Sequence, residues 1–388
     1  MNTGDPHRSL TGTMYERRMD TRREFIVDAI GVVVAVALVG SCGGPDTTGE
    51  VVSTMSPEPE SSVPSTTTSV TPTASSAPTA SSAPTASRPE LGPWSGADFA
   101  ELDAFLDAAD TEAFQIVEQG RVVHEWYRTD ASYGRDVASA QKSVLSLLVG
   151  RAIADGYFDL DTHIDDVLGV GWTPHGQSAG ITVRQLLSMT SGLDDQFAVI
   201  APPGTMWRYS GAFAALFDVL TTTTGRQLNE MADEWLFGPA GATTAQFHER
   251  RSNEFAPIGL FARASDLTAI GQTVLDHAQP GLPDVWLDES LATSQPYNGA
   301  YGYLWWLNGK DSFLLPGRAM VARPGPLVPS APAGMVAALG KDDQKLYLVA
   351  DLGLAIARLG GKAVIGTQLA PSSFDDALWQ LLSQMRPT

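Results

Sequence analysis

The sequence predicts an α+β fold: an antiparallel sheet flanked by N- and C-terminal helices, plus a mostly helical lobe. Three observations predict it. Strand-like segments open the folded region, at Phe114–Glu118 and Val122–Tyr127. A long stretch with helical spacing runs from Ser139 to Leu275. Strand-like segments then return between Tyr301 and Leu359, before one last helix. Strands at both ends of a helical middle place both ends of the domain in one sheet, with a helical insertion.

The region before the fold has a different character. Thr21-Arg22-Arg23-Glu24-Phe25-Ile26 fits a twin-arginine export signal. The apolar run Ile30–Val39 is about half the length of a bilayer-spanning helix, which suits a signal h-region. Val39-Gly40-Ser41-Cys42 follows at once and resembles a bacterial lipobox, with Cys42 as the lipidated residue. Residues 1–42 are therefore expected to be a signal peptide. The product is an exported lipoprotein, held to the cell membrane by its N-terminal lipid and facing the cell wall. Residues 43–93 are rich in Ser, Thr, Pro and Ala and repeat Ala-Ser-Ser-Ala-Pro-Thr in tandem. Such a chain cannot bury enough apolar surface to offset its ordering entropy, so it is expected to be a disordered linker. The remainder, 94–388, is expected to be the folded domain and to hold the core.

Composition narrows the function. The formal net charge is −19, which repels phosphate backbones and excludes nucleic acid as an expected partner. Cys42 is the only cysteine, so disulfides, cysteine-rich metal sites and a thiol nucleophile in the body are all excluded.

The elements follow in order. Phe99–Leu106 has the spacing of a short amphipathic helix. Gln119-Gly120 between two alternating segments signals a hairpin. Val144, Leu145, Leu148, Val149, Ala152 and Ile153 recur at helical spacing, and Gly156 suits a C-terminal cap. Further helices are expected at Val183–Met189 after Thr182, at Ala212–Thr222, at Asn229–Leu236, and at Ala264–Leu275. Tyr301–Leu307 is aromatic and alternating, hence an expected strand. Gly334–Leu339, Lys345–Val349 and Leu354–Leu359 read as a meander. Ser372 or Ser373 is placed to cap a last helix through Leu382.

Ser139-Ala140-Gln141-Lys142 opens the first strongly apolar helix. Residues three apart share a helix face, so the hydroxyl and the amine can meet. A serine needs a base, and a lysine becomes one when burial and a nearby helix N-terminus disfavour its charged form. Tyr209 lies on a turn before the helix from Ala212, where a phenol near Lys142 can relay a proton. Lys341, between two expected strands, and Gln344 after it sit where a strand edge can face a developing oxyanion.

The order of these segments resembles the serine beta-lactamase-related superfamily. That group includes class C-type beta-lactamases, penicillin-binding peptidases, related esterases and 6-aminohexanoate-oligomer hydrolases. Ile181–Leu193, Pro203-Gly204-Thr205 with Trp207 and Tyr209, Leu236–Gly241 and Gly259–Leu267 carry the likeness beyond the S-x-x-K segment. The resemblance implies a beta-lactamase/transpeptidase-like fold and a Ser139 acyl-enzyme. It implies Lys142 as general base, Tyr209 as the tyrosine of a Tyr-x-Asn motif, and the N–H groups of Ser139 and Gln344 as oxyanion donors, with Lys341, Gly211 and Trp207 on the substrate-binding surface. It implies no metal and no cofactor.

Two positions depart from the pattern. The asparagine of Tyr-x-Asn is Gly211, which removes a substrate amide contact. The third motif reads Lys341-Asp342-Asp343, putting two acids where small neutral residues are usual. Two carboxylates there disfavour substrates that present a carboxylate, unless Lys341 and Arg323 offset them. Small esters or amides are therefore the expected substrates. A beta-lactam or a peptidoglycan peptide is the alternative, and a non-catalytic wall-binding lipoprotein is the alternative of another class. Gly176-Gln177-Ser178-Ala179-Gly180 matches a G-x-S-x-G elbow, but neither the strand nor the helix that such an elbow needs flanks it. The histidines form no evident triad or metal cluster.

Overall fold

In the computed structural model, the structure describes residues 94, 98–173, 180–250, 256–317, 320–363 and 371–386. The twin-arginine segment, Cys42, the linker, His175 and Ser178 lie outside the described residues.

The chain builds a six-stranded antiparallel sheet in the order β2-β1-β11-β10-β9-β6. Its strands are β1 (Thr111–Glu118), β2 (Arg121–Tyr127), β6 (Trp306–Leu307), β9 (Val336–Leu339), β10 (Lys345–Val349) and β11 (Leu354–Gly360). β1 pairs with β11 along its whole length, from Thr111↔Gly360 to Glu118↔Leu354, so the two ends of the fold meet as expected. The β1–β2 turn places Gln119 at φ 49° and Gly120 at φ 72°. Two consecutive left-handed residues are what a two-residue hairpin needs to match strand twist.

The helix Ala264–Leu275 packs on β1, β10 and β11. Gly271 permits this closeness, because a Cβ there would press into Leu348 and Leu346. The helices Ala100–Ala108 and Ser373–Met385 meet through stacked rings of Phe105 and Phe374, 5.4 Å apart. Ser372 caps the last helix, accepting from Phe374 N.

Between the strands lies the helical lobe. Its central helix, Gln141–Ala154, is buried along nearly its whole length, so it is a core helix rather than an amphipathic surface one. Val183–Leu187 starts with a capping box formed by Thr182 and Gln185. Gly211–Ala214 forms a 3-10 turn that runs into the helix Ala215–Thr224. Leu228–Ala232 continues into a π-helical turn over Asp233–Phe237.

Two features differ from expectation. Tyr301–Leu307 is not one strand, because only Trp306–Leu307 joins the sheet. Leu304 stands at φ 64°, and its N–H bonds Leu187 O at 3.0 Å. The chain reverses there, and Tyr301 folds back onto Trp306 as a bridge partner. Alternating aromatics arose from packing on both sides of a bend, not from a pleat. Second, a three-stranded sheet was not foreseen. It joins β3 (Gly134–Asp136), β5 (Ile258–Arg263) and β4 (Gln246–Glu249), in that order. β3 is three residues long and has no periodicity to read. A separate ribbon pairs β7 (Ser312–Phe313) with β8 (Arg323–Pro324). No helix of the described residues is long and apolar enough to cross a membrane.

Candidate active site

Ser139 lies in a 3-10 turn, Ala138–Ala140, that leads directly into the helix Gln141–Ala154. Lys142, in that helix's first turn, donates from Nζ to Ser139 Oγ at 2.9 Å. The serine is half-buried and Lys142 is 2% exposed. The Lys142 ammonium nitrogen lies 4.1 Å from the Phe213 ring centre and 4.7 Å from that of Tyr209. Burial among these rings pushes the Lys142 amine well below its ordinary pKa, and the positive charge of Arg250 adds to the effect. Asp195 pulls the other way and is outweighed.

Tyr209 comes from the opposite wall, two residues before the turn Gly211–Ala214. Its hydroxyl is hydrogen-bonded to Ser139. Burial raises its pKa well above the usual phenol value. The bond to Ser139 opposes that rise, and Asp195 reinforces it. The serine thus sits between an amine biased toward its neutral form and a phenol biased toward its protonated form. That combination suits proton transfer in opposite directions at one oxygen.

Aromatic packing fixes Tyr209. Its ring stacks on Trp306 at 5.8 Å and meets Tyr301 at 6.1 Å and Trp207 at 6.2 Å. Trp207, expected at a substrate surface, is 1% exposed and stands behind Tyr209 as its support. Gly211, the position without an asparagine, is buried, and its N–H donates to Asp195 Oδ1 at 3.1 Å. Asp195 is a site residue that sequence reasoning passed over. It is one of two adjacent acids after Gly192-Leu193, and nothing local separates it from Asp194. Burial raises its pKa despite the Gly211 N–H and Arg208.

The third motif is arranged differently from its sequence reading. Gly340, just after β9, packs against the turn that carries Ser139. A Cβ there would run into Val137 O and lie 3.3 Å from Ala140 N. Gly340 was not singled out from the sequence; a glycine closing a strand was its only signal. Lys341 is exposed at the start of the turn that follows. Gln344 is fully buried. Its side chain donates to Asp342 O at 2.7 Å and Gly360 O at 2.9 Å, and accepts from Gly360 N. Its backbone carbonyl closes the hairpin onto Gly340 N at 2.8 Å.

Asp342 and Asp343 are consecutive left-handed residues at φ 58° and 59°. Asp343 does not confront a substrate. Its carboxylate turns inward to Lys345 Nζ at 3.2 Å, Ser372 Oγ at 2.6 Å and Ala363 N at 3.1 Å. Of the two acids that weighed against carboxylate-bearing substrates, only Asp342 stays near the surface. Arg323 lies exposed on β8.

Three of the described histidines, His124, His248 and His277, pair with carboxylates. His124 stacks on Phe99 at 4.2 Å and bonds Asp103 Oδ1 at 2.7 Å. His277 reaches Asp284 at 3.0 Å. Among the described residues there is no cluster of three metal-ligating side chains.

Comparison with known proteins bears on the family and the fold. The beta-lactamase family model matches residues 104–359. No curated protein matches the sequence. Among solved structures, the fold is similar to a Bacteroides dorei protein provisionally named a beta-lactamase, at 15% identity and a TM-score of 0.57, covering 74% of this chain and 98% of that one. It is similar to a Bacillus anthracis protein provisionally named 6-aminohexanoate-dimer hydrolase, at 20% identity and 0.56, covering 72% and 80%. It is also similar to EstCE1, a hydrolase with promiscuous acyltransferase activity, at 14% identity and 0.54, covering 72% and 96%. With its family match spanning most of the folded region, and with strands from both ends of the fold closing one antiparallel sheet beside a helical lobe, the chain belongs to the beta-lactamase family.

Proposed function

We propose that this protein is a serine hydrolase that works through a Ser139 acyl-enzyme, with small esters or amides as substrates. The observation that carries the reading is the 2.9 Å contact between Lys142 Nζ and Ser139 Oγ, in a setting that disfavours the ammonium form. Lys142, neutral, takes the serine proton as Oγ attacks the carbonyl. Tyr209, protonated, passes a proton to the leaving group and is restored from the ammonium of Lys142. Water then hydrolyses the acyl group. The oxyanion donors are the N–H of Ser139 and, in place of Gln344, the N–H of Lys341, because Gly340 is the residue that abuts the nucleophile turn.

Small esters and simple amides are favoured over substrates that need a further amide group held beside the scissile bond, because no side chain at Gly211 is available to hold one. Similarity in fold to a protein provisionally named 6-aminohexanoate-dimer hydrolase and to a hydrolase with promiscuous acyltransferase activity supports the same class. Since Asp343 is spent internally, beta-lactams and D-Ala-D-Ala peptides belong in the same assay panel.

A fluorophosphonate probe is expected to label the wild-type protein, and Ser139→Ala to lose labelling and turnover by at least about a thousandfold. Labelling that persists in Ser139→Ala would exclude Ser139. No labelling of the wild type would favour a non-catalytic wall-binding lipoprotein.

We propose further that the protein is exported and membrane-anchored through Cys42. Radiolabelled palmitate should enter the wild type and be absent from Cys42→Ala; equal incorporation in both would sink the anchor.

A further inference from the structure

The small sheet β3-β5-β4 was not foreseen, and it brings three polar residues to the back of the nucleophile turn. Asp136 ends β3, His248 lies on β4, and Arg250 follows β4 directly. Arg250 grips Asp136 with both arms of its guanidinium, Nε to Oδ2 at 2.7 Å and Nη2 to Oδ1 at 2.6 Å. His248 Nε2 sits 2.9 Å from the same Oδ2. Gly259 on β5 is the pairing partner of His248, and a Cβ there would overlap the Asp136 carboxylate. The site tolerates only a residue without a side chain.

This pair acts on one residue from both sides. Asp136 Oδ1 accepts from Ala138 N at 2.7 Å, and Arg250 Nη2 donates to Ala138 O at 3.3 Å. Ala138 immediately precedes Ser139 and stands at φ 52°. A left-handed alanine is costly and persists only where its surroundings over-determine it. Here both polar atoms of the residue are held by one partly buried ion pair, with the Arg250 side chain 9% exposed and that of Asp136 30%.

We infer that Asp136 and Arg250 are positioning residues for Ser139, clamping Ala138 in its left-handed conformation and placing a fixed positive charge on the peptide next to the nucleophile. The inference rests on Ser139 being the nucleophile. It separates two effects. Breaking the clamp misplaces Ser139 Oγ relative to Lys142, which lowers reactivity at every pH. Changing the charge changes how readily Lys142 takes a proton. Lys142 is faced by Ser139 from its own turn, by Tyr209, Phe213 and Asp195 from the helical lobe, and by Arg250 from the small sheet. Arg250 is faced in turn by Asp136 and, through it, by His248.

The signs are opposite for the two partners. A cation disfavours the ammonium of Lys142, so removing Arg250 raises its pKa and moves the acidic limb of the rate profile to higher pH. Removing the Asp136 charge leaves Arg250 uncompensated and moves that limb to lower pH. The test is the second-order rate of fluorophosphonate labelling of the full-length protein, followed from acidic to alkaline pH. Arg250→Met and Asp136→Asn are each expected to slow labelling by roughly tenfold to a hundredfold, with limbs displaced in opposite directions. Arg250→Lys keeps the charge and loses the fork, so it should slow labelling with the limb near its wild-type position. Gly259→Ala disrupts the clamp without altering charge and should do the same, which keeps the test open if Arg250→Met fails to fold.

Variants that label at wild-type rates with unmoved limbs overturn the inference, as do limbs that shift the same way in Arg250→Met and Asp136→Asn. If Ser139→Ala still reacts, the nucleophile itself is misassigned and this inference falls with it. An unreactive Ser139→Ala beside unaffected clamp variants overturns the clamp alone.

Discussion

Replacing Lys142 with methionine is expected to remove turnover while leaving the fold as stable as wild type or more so. Methionine matches the lysine stem in length and fits the apolar side of Phe213, so no cavity opens. Without its base, Ser139 should lose about 10²–10⁴-fold in kcat/KM. Stability should move the other way. Burial pushes the folded-state pKa of Lys142 well below its ordinary value of 10.5, so between the two values the unfolded chain binds the extra proton. The folded state therefore carries a penalty at neutral pH that shrinks as pH rises toward 10.5. Lys142→Met removes that penalty. Thermal midpoints compared at neutral pH and near pH 10.5 should show an advantage for the variant that narrows in alkali. A variant that is less stable at neutral pH but retains kcat/KM would mean that Lys142 is structural. Keeping a neutralised amine in the core at the expense of stability is expected of a functional site, not of a packing one.

The largest loss of stability is expected at the opposite end of the third-motif hairpin, from Lys345→Met. Lys345 is fully buried between Asp375 at 2.8 Å and Asp343 at 3.2 Å. Tyr347 donates to the other oxygen of Asp375 at 2.7 Å, and Asp375 also serves the N-terminus of the last helix by accepting from Ser372 N. Removing the cation leaves two buried carboxylates facing each other. An uncompensated buried charge of this kind costs about 3–5 kcal/mol. That corresponds to a fall in Tm on the order of 10 °C for a domain of this size. The pH dependence has a definite sign. Burial pushes the Asp343 carboxyl up, but Lys345, Ser372 and the Ala363 N–H outweigh it and hold it below its ordinary value of 3.8. That stabilisation is present above pH 3.8 and is lost as pH falls through the folded-state value, so the gap between wild type and Lys345→Met should close in acid. A gap that stays constant down to acid pH would point to lost packing instead. The same variant should also weaken catalysis, since Asp343 anchors the turn that carries Lys341 beside Gly340.

The Ser139–Lys142 pairing was legible because it is local. Positions i and i+3 share a helix face whatever the rest of the chain does, and the apolar residues behind them announced a buried helix. The β1–β2 hairpin, the capping box at Thr182 and the Ser372 cap were legible for the same reason, since each is written within about four residues. The meander was readable from three short apolar runs separated by turn residues, and the closing of the sheet by both termini followed from the order of elements.

The rest was decided by tertiary structure. Asp342 and Asp343 are identical in sequence terms, yet one stays near the surface and the other is consumed by Lys345 and Ser372, because adjacent left-handed residues turn their side chains in different directions. Trp207 became a support rather than a surface, since Tyr301 and Trp306, from a distant segment, converge on it and on Tyr209. Asp136 and Arg250 lie more than a hundred positions apart, and no periodicity links them. The sequence by itself determined which atoms stand close enough for the proposed chemistry, because a hydroxyl and an amine were set three residues apart. Only the folded chain decided how those atoms are aimed and charged, because burial and charge pairing depend on which remote segments the whole fold brings against them.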